Sequence, residues 1–130
     1  ETWNAGNACL LMQCGRSRVP QVLDMMSFQR ALEFSAEEAR DACSSGKPAI
    51  LLLPWELETS RGIREALREH RHARGVTCLV GPEGGFSHAE VREATRLGAI
   101  TCSLGPRILR TETCGLVLCS IILYEAGEMD

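Results

Sequence analysis

The feature that most constrains this chain is an arrangement met three times: a short apolar run closed by a turn rich in Pro or Gly. Residues 49–53 (Ala-Ile-Leu-Leu-Leu) lie between Pro48 and Pro54. Residues 76–80 (Val-Thr-Cys-Leu-Val) run into Gly81-Pro82-Glu83-Gly84-Gly85. Residues 99–104 (Ala-Ile-Thr-Cys-Ser-Leu) run into Gly105-Pro106. Apolar runs this short, bounded by turn residues, suit strands buried on both faces. The stretches between them read as helices. Residues 61–74 carry Arg61, Arg64, Arg68 and Arg71 at helical spacing on one face, and Gly75 follows. Ser87-His88-Ala89-Glu90 is a capping box that opens a helix running to Gly98. Strand–helix alternation predicts an α/β fold with a mostly parallel sheet flanked by helices.

The flanks are less regular. Residues 1–14 read as a helix with Trp3, Ala8, Leu11 and Met12 on its apolar side, ended by Gly15; residues 16–20 read as a loop or short strand. Ser35-Ala36-Glu37-Glu38 reads as a second capping box, for a helix to about residue 44, and residues 44–48 as a turn. A last helix over about 113–125 is apolar nearly all round, so it needs burial on more than one side. In a domain this small, that surplus predicts a homodimer.

A length of 130 residues fits one domain, and 45% apolar with 24% charged residues is the balance of a globular chain. The net charge of −3 excludes a uniformly basic nucleic-acid glove, so an RNA partner would need a local patch or another domain. The longest near-uniform apolar run, residues 116–124, falls far short of the ~20 that a membrane span requires. No basic-then-apolar leader supports secretion, and the opening Glu-Thr-Trp, without Met, leaves room for a preceding segment. The seven cysteines, at 9, 14, 43, 78, 102, 114 and 119, form no Cys-x-x-Cys pair. They read as small buried hydrophobes in a reducing compartment rather than zinc ligands. Cys14, near Arg16 and Arg18, is the one with cationic neighbours that a reactive thiol would need. His70, His72 and His88 lie in Arg/Glu-rich or capping contexts and read as solvent-facing, so no metal is expected.

In an open α/β sheet, ligands sit beyond the carboxyl ends of the strands. The three Pro/Gly turns fall there, where glycines let a ligand approach backbone amides. They can equally be plain strand-to-helix turns. The phosphate loop Gly-x-x-x-x-Gly-Lys-Ser/Thr, the Gly-x-Gly-x-x-Gly fingerprint and the Gly-x-Ser-x-Gly elbow are all missing. The segment Arg107-Ile108-Leu109-Arg110-Thr111-Glu112-Thr113 places cations and a carboxylate after a Gly-Pro turn. A fixed guanidinium there suits negative charge on a planar substrate, and a helix N-terminus with Glu112 favoured by the dipole is the alternative. The arginine stripe over 61–71, interleaved with Glu65 and Glu69, reads as a solvated face, with phosphate contact as the second reading.

Cys14-Gly-Arg16-Ser-Arg18-Val-Pro20, Val80-Gly-Pro-Glu-Gly-Gly-Phe-Ser87 and Leu104-Gly-Pro-Arg-Ile-Leu-Arg-Thr-Glu-Thr113, in this order and spacing, resemble the RsmE-type ribosomal RNA methyltransferases of the SPOUT class. The resemblance spans essentially the whole chain, as the catalytic domain only; the PUA-like RNA-binding domain that usually precedes it in the family is not in this sequence. It implies an α/β sheet with a deep C-terminal trefoil knot, a homodimer, and methylation of N3 of a uridine in 16S rRNA of the small ribosomal subunit, in the cytoplasm. It implies S-adenosylmethionine held by Leu53, Gly81, Glu83, Gly84, Leu104, Gly105, Ile108 and Leu109, mostly through their backbone. Arg110 and Glu112 would be catalytic, with Arg16 and Arg18 facing RNA. Cys114 stands where the family usually has a small Ala, and Pro54-Trp55 makes a bulky entry to the first loop. A SPOUT enzyme acting on transfer RNA, a non-catalytic RNA-binding module and a nucleotide-dependent α/β enzyme are the competing readings.

Overall fold

A computed structural model describes residues 7–14, 21–22, 26–44, 46, 48–81, 84–105 and 111–125. Among these described residues, six strands and four helices follow in the order β1 (Asn7–Cys14), β2 (Gln21–Val22), β3 (Met26–Ser27), α1 (Phe28–Ser44), β4 (Ala49–Pro54), α2 (Ile63–Glu69), β5 (Gly75–Val80), α3 (His88–Arg96), β6 (Ile100–Cys102) and α4 (Thr111–Glu125). The sheet order is β2-β1-β5-β4-β6, with β3 paired to β1. Strands β5, β4 and β6 are the three apolar runs, and they pair in parallel, with Leu52 opposite both Cys78 and Ile100.

Strands β4 and β5 bury consecutive residues on both faces, which is why their sequences are apolar with little alternation, whereas edge strand β6 buries Cys102 alone. Neighbouring residues point to opposite sides. Leu53 and Leu79 join Ala31 and Leu32 of α1 and Val91 and Ala94 of α3 in one cluster. Leu52, Cys78, Val80 and Cys102 join Ala66 of α2 and Leu118 and Ile122 of α4 in the other. Helices α1 and α3 therefore cover one face of the sheet, and α2 and α4 the other.

Residues 7–14 correct the sequence reading: they form a strand, not a helix. Leu and Met favour helices when nothing else decides. Here Cys9 to Cys14 pair antiparallel with Val80 to Gly75, and ladder formation overrides propensity. The sheet is consequently mixed: a parallel unit with an antiparallel extension. Helix α1 starts seven residues before the expected capping box. Ser35 is buried mid-helix, its hydroxyl donating to the Ala31 carbonyl at 2.8 Å, while Ser27 caps the true start by accepting from the Arg30 amide at 3.2 Å. Helix α2 stops at Glu69 rather than continuing to residue 74. Residues 70–74 turn back so that the Arg74 amide can bond the Pro48 carbonyl and β5 can align with β4. The capping box of α3 is as expected: the Ser87 hydroxyl accepts from the Glu90 amide at 3.1 Å, and the Glu90 carboxylate accepts from the Ser87 amide at 2.9 Å. Gly98, at φ +102°, ends the turn that follows in a conformation costly for any residue with a side chain.

Candidate functional site

The chain leaves β4 and β6 toward α2 and α4 on one face, and leaves β5 toward α3 on the other. Between the carboxyl ends of β4 and β5 the connections therefore part to opposite faces, the place where open α/β sheets hold ligands. Trp55 sits at this point. Its indole N–H donates to the Phe86 carbonyl at 3.2 Å, and its ring meets His88 edge-on at 5.1 Å between centroids. The Trp55 amide bonds the Cys102 carbonyl at 2.9 Å. One residue thus connects the loops after β4 and β5 and the end of β6.

A second tie joins the β4 loop to β6. The Glu58 carboxylate accepts from the Ser60 amide and hydroxyl, at 2.9 and 2.6 Å, and from the Thr101 hydroxyl. These hydrogen bonds, Ser60 first, hold its carboxyl down to about 2 against an ordinary 4.5. Beside it the Ser103 amide bonds the Arg61 carbonyl, and the Ile63 amide bonds the Ser103 carbonyl, both at 2.9 Å. The Ser103 hydroxyl accepts from the Gly105 amide at 3.1 Å and so shapes the start of the third loop.

Of the predicted cofactor residues, the described ones divide by accessibility. Gly84 and Gly105 lie at the rim with no atom within 4 Å of where a Cβ would stand, and Gly105 has φ +108°. A ligand has room on that side of each, while the Gly105 amide is engaged by the Ser103 hydroxyl. Gly81 is closed on its side-chain face: a Cβ there would meet the Phe86 ring at 3.0 Å. Leu53 is fully buried and so offers a ligand no side chain, and Leu104 packs against the α2/α4 cluster. Glu112 lies in the first turn of α4, where a carboxylate is favoured by the helix dipole. Glu83, Ile108, Leu109, Arg110, Arg16 and Arg18 lie outside the described residues, as do the side chains of Glu112 and Cys14.

Glu58, Thr101, Ser103 and Phe86 escaped the sequence reading, and Trp55 was read only as bulk. Their roles come from contacts between residues 31 to 43 apart in the chain, which no local pattern announces. Burial drives the Cys78 thiol well up, Cys102 to about 12 and Cys114 to about 11. These thiols stay protonated and behave as apolar filling, as expected. Cys43 is exposed, unlike the general expectation for the cysteines. Among the described residues, no group of three or more His, Cys, Asp and Glu could hold a metal ion, and no helix is long and apolar enough to cross a membrane.

A sheet covered by helices on both faces, with its strand-end loops gathered at one edge, places the chain in the α/β class, and the comparisons specify its family. Residues 4–123 match the family described as an RNA methyltransferase domain, and the chain belongs to that family. It is 36% identical over 117 residues to the Ribosomal RNA small subunit methyltransferase E of Bacillus subtilis (strain 168), covering 87% of this chain and 42% of that protein. The protein of the same name from Mycobacterium bovis is 30% identical over 115 residues, covering 88% and 40%. A solved structure described as the crystal structure of an hypothetical protein superposes with a TM-score of 0.57 at 30% identity, over 83% of this chain and 40% of the other. The chain spans about two fifths of the length of these relatives.

Proposed function

We propose that this chain is the catalytic domain of an S-adenosylmethionine-dependent methyltransferase acting on N3 of a uridine in 16S rRNA of the small ribosomal subunit. The observation that carries the reading is the gathering of three strand-end loops at one sheet edge, held to each other by Trp55 and Glu58. Family membership and the relatives named for small-subunit rRNA methylation supply the reaction class.

The open side-chain faces of Gly84 and Gly105 leave room for a nucleoside cofactor to lie close against both loops. Leu53, Gly81, Glu83, Leu104, Ile108 and Leu109 complete the proposed cradle, Leu53 through its backbone alone. The cofactor supplies an electrophilic methyl group on a sulfonium, so this chemistry asks no metal of the protein. Uridine N3 becomes a nucleophile once its proton passes to a base, the role assigned here to the Glu83 carboxylate, and the charge left behind spreads to the uracil carbonyl oxygens. Arg110, always protonated, stabilises that charge, and Glu112 orients the guanidinium. Arg16 and Arg18 contact RNA.

We further assign the chain a deep C-terminal trefoil knot and a homodimer built on α4. Leu116 and Tyr124, 72% and 63% exposed, supply the apolar surface for that interface. The free thiols suit the cytoplasm, and a PUA-like RNA-binding domain is the proposed companion of this one. Two measurements test the reading. Calorimetric titration with S-adenosylmethionine should show saturable heat. A methyl-transfer assay on unmodified 30S subunits, with and without the companion domain, should label 16S rRNA. No heat with the cofactor would return the chain to a bare RNA-binding module.

A further inference from the structure

Charge in this chain is unevenly distributed. Residues 61–74 hold five arginines against two glutamates, while the other residues hold nine basic against fifteen acidic. Two of the five arginines are engaged: Arg61 with Glu69 at 3.2 Å, and Arg68 with Glu125 at 3.9 Å. Arg64, Arg71 and Arg74 are exposed and make no ion pair among the described residues.

Their placement is directional. Helix α2 begins at the rim of the candidate site, where Gly62 bridges Ser103 two residues before Gly105. It runs back along the sheet, and the turn after it reaches the opposite edge, where the Arg74 amide meets the Pro48 carbonyl. The six residues of β5 between those edges span about 17–20 Å at ~3.3 Å each. Arg64 and Arg68 line a shallow open groove of about 560 Å³ along α2. The groove's described lining, Gly62, Arg64, Glu65, Arg68 and Glu69, holds no large hydrophobic side chain. A protein interface would want apolar anchors at its centre, whereas a phosphate backbone wants guanidinium groups and little else.

We infer that Arg64, Arg71 and Arg74 form a phosphate track that carries the RNA backbone from the proposed methylation site to the far edge of the sheet. The inference rests on the reading of this chain as an RNA-acting domain, but not on its cofactor. Glu65, in the same groove, opposes the track, and Glu69 is neutralised by Arg61.

The test is fluorescence anisotropy of a labelled single-stranded oligoribonucleotide of about 30 nucleotides, titrated with this chain between about 0.05 and 0.2 M KCl. Each phosphate contact on a single strand contributes about 0.7 to the slope of log affinity against log salt. Replacing all three arginines with Ala should therefore lower the slope by about 2, so that the wild-type chain loses roughly 20-fold more affinity over that range than the variant. The triple Lys variant should keep the wild-type slope, because charge is what the track supplies. Glu65→Gln should tighten binding slightly. An Ala variant with the wild-type slope, or polyglutamate competing as well as RNA of equal charge, would overturn the inference. Cofactor titration of the same proteins reads separately: if neither binds S-adenosylmethionine yet the slope falls, the track stands and the methyltransferase reading does not.

Discussion

The two edges of the parallel sheet are built differently. At the carboxyl edge, loops from β4, β5 and β6 are tied across the chain by side chains: Trp55 to Phe86, Glu58 to Thr101, Ser103 to Gly105. At the amino edge, the turns are joined by backbone, as where the Arg74 amide meets the Pro48 carbonyl, and Arg71 and Arg74 are exposed. A ligand site needs groups fixed before the ligand arrives, because ordering them on binding subtracts from affinity. A phosphate track needs only charge in roughly the right place. The carboxyl edge is organised for geometry and the amino edge for electrostatics.

The sharpest way to break that contrast is at Arg110. Arg110→Ala should lower turnover by about 10²–10³-fold, the scale of losing a group that stabilises developing negative charge, while cofactor affinity by calorimetry changes little. Equal loss of both would move Arg110 out of the chemistry. Next comes the floor beneath both edges. Leu79→Ala, at a fully buried position, should destabilise the fold by about 2–5 kcal/mol in urea unfolding. Gly81→Ala should cost about 1–3 kcal/mol, because its Cβ would press on the Phe86 ring, and the same shift should loosen the Trp55 bond and weaken cofactor binding. Arg74→Ala should stay within about 0.5 kcal/mol of wild type and leave cofactor affinity alone, while RNA affinity falls.

The smallest effect is one of pH. The Glu58 carboxyl is held down to about 2 in the folded chain. A depressed carboxyl contributes stability that is present above its unfolded value near 4.5 and lost as pH falls toward 2. Glu58→Gln should flatten the stability profile across that window and leave it unchanged near neutrality in shape. An unaltered acid limb would mean that the carboxylate does not hold the β4 loop to β6.

Much of this architecture was legible because it rests on local chemistry. The apolar runs of β4, β5 and β6 read as buried strands, and Ser87 with Glu90 marks the start of α3. Their turns also marked the edge at which a site would form. Residues 7–14 were illegible for the opposite reason: Ala, Cys, Leu and Met run unbroken from 8 to 12 between Asn7 and Gln13, with no period that separates helix from strand, and pairing with β5 decided it. The end of α2 was likewise decided from outside, by the demand that β5 start level with β4.

The residues in this sequence thus determined by themselves which segments are buried, where the strand ends fall and where positive charge collects, since burial, turn chemistry and charge are properties of neighbours along the chain. Only the tertiary structure decided that Trp55 meets Phe86, that Glu58 holds Thr101, and that the arginines of 61–74 lead from one sheet edge to the other. Those relations join residues far apart in sequence. They are fixed by how the helices pack on the two faces of the sheet, which no short window of the chain contains.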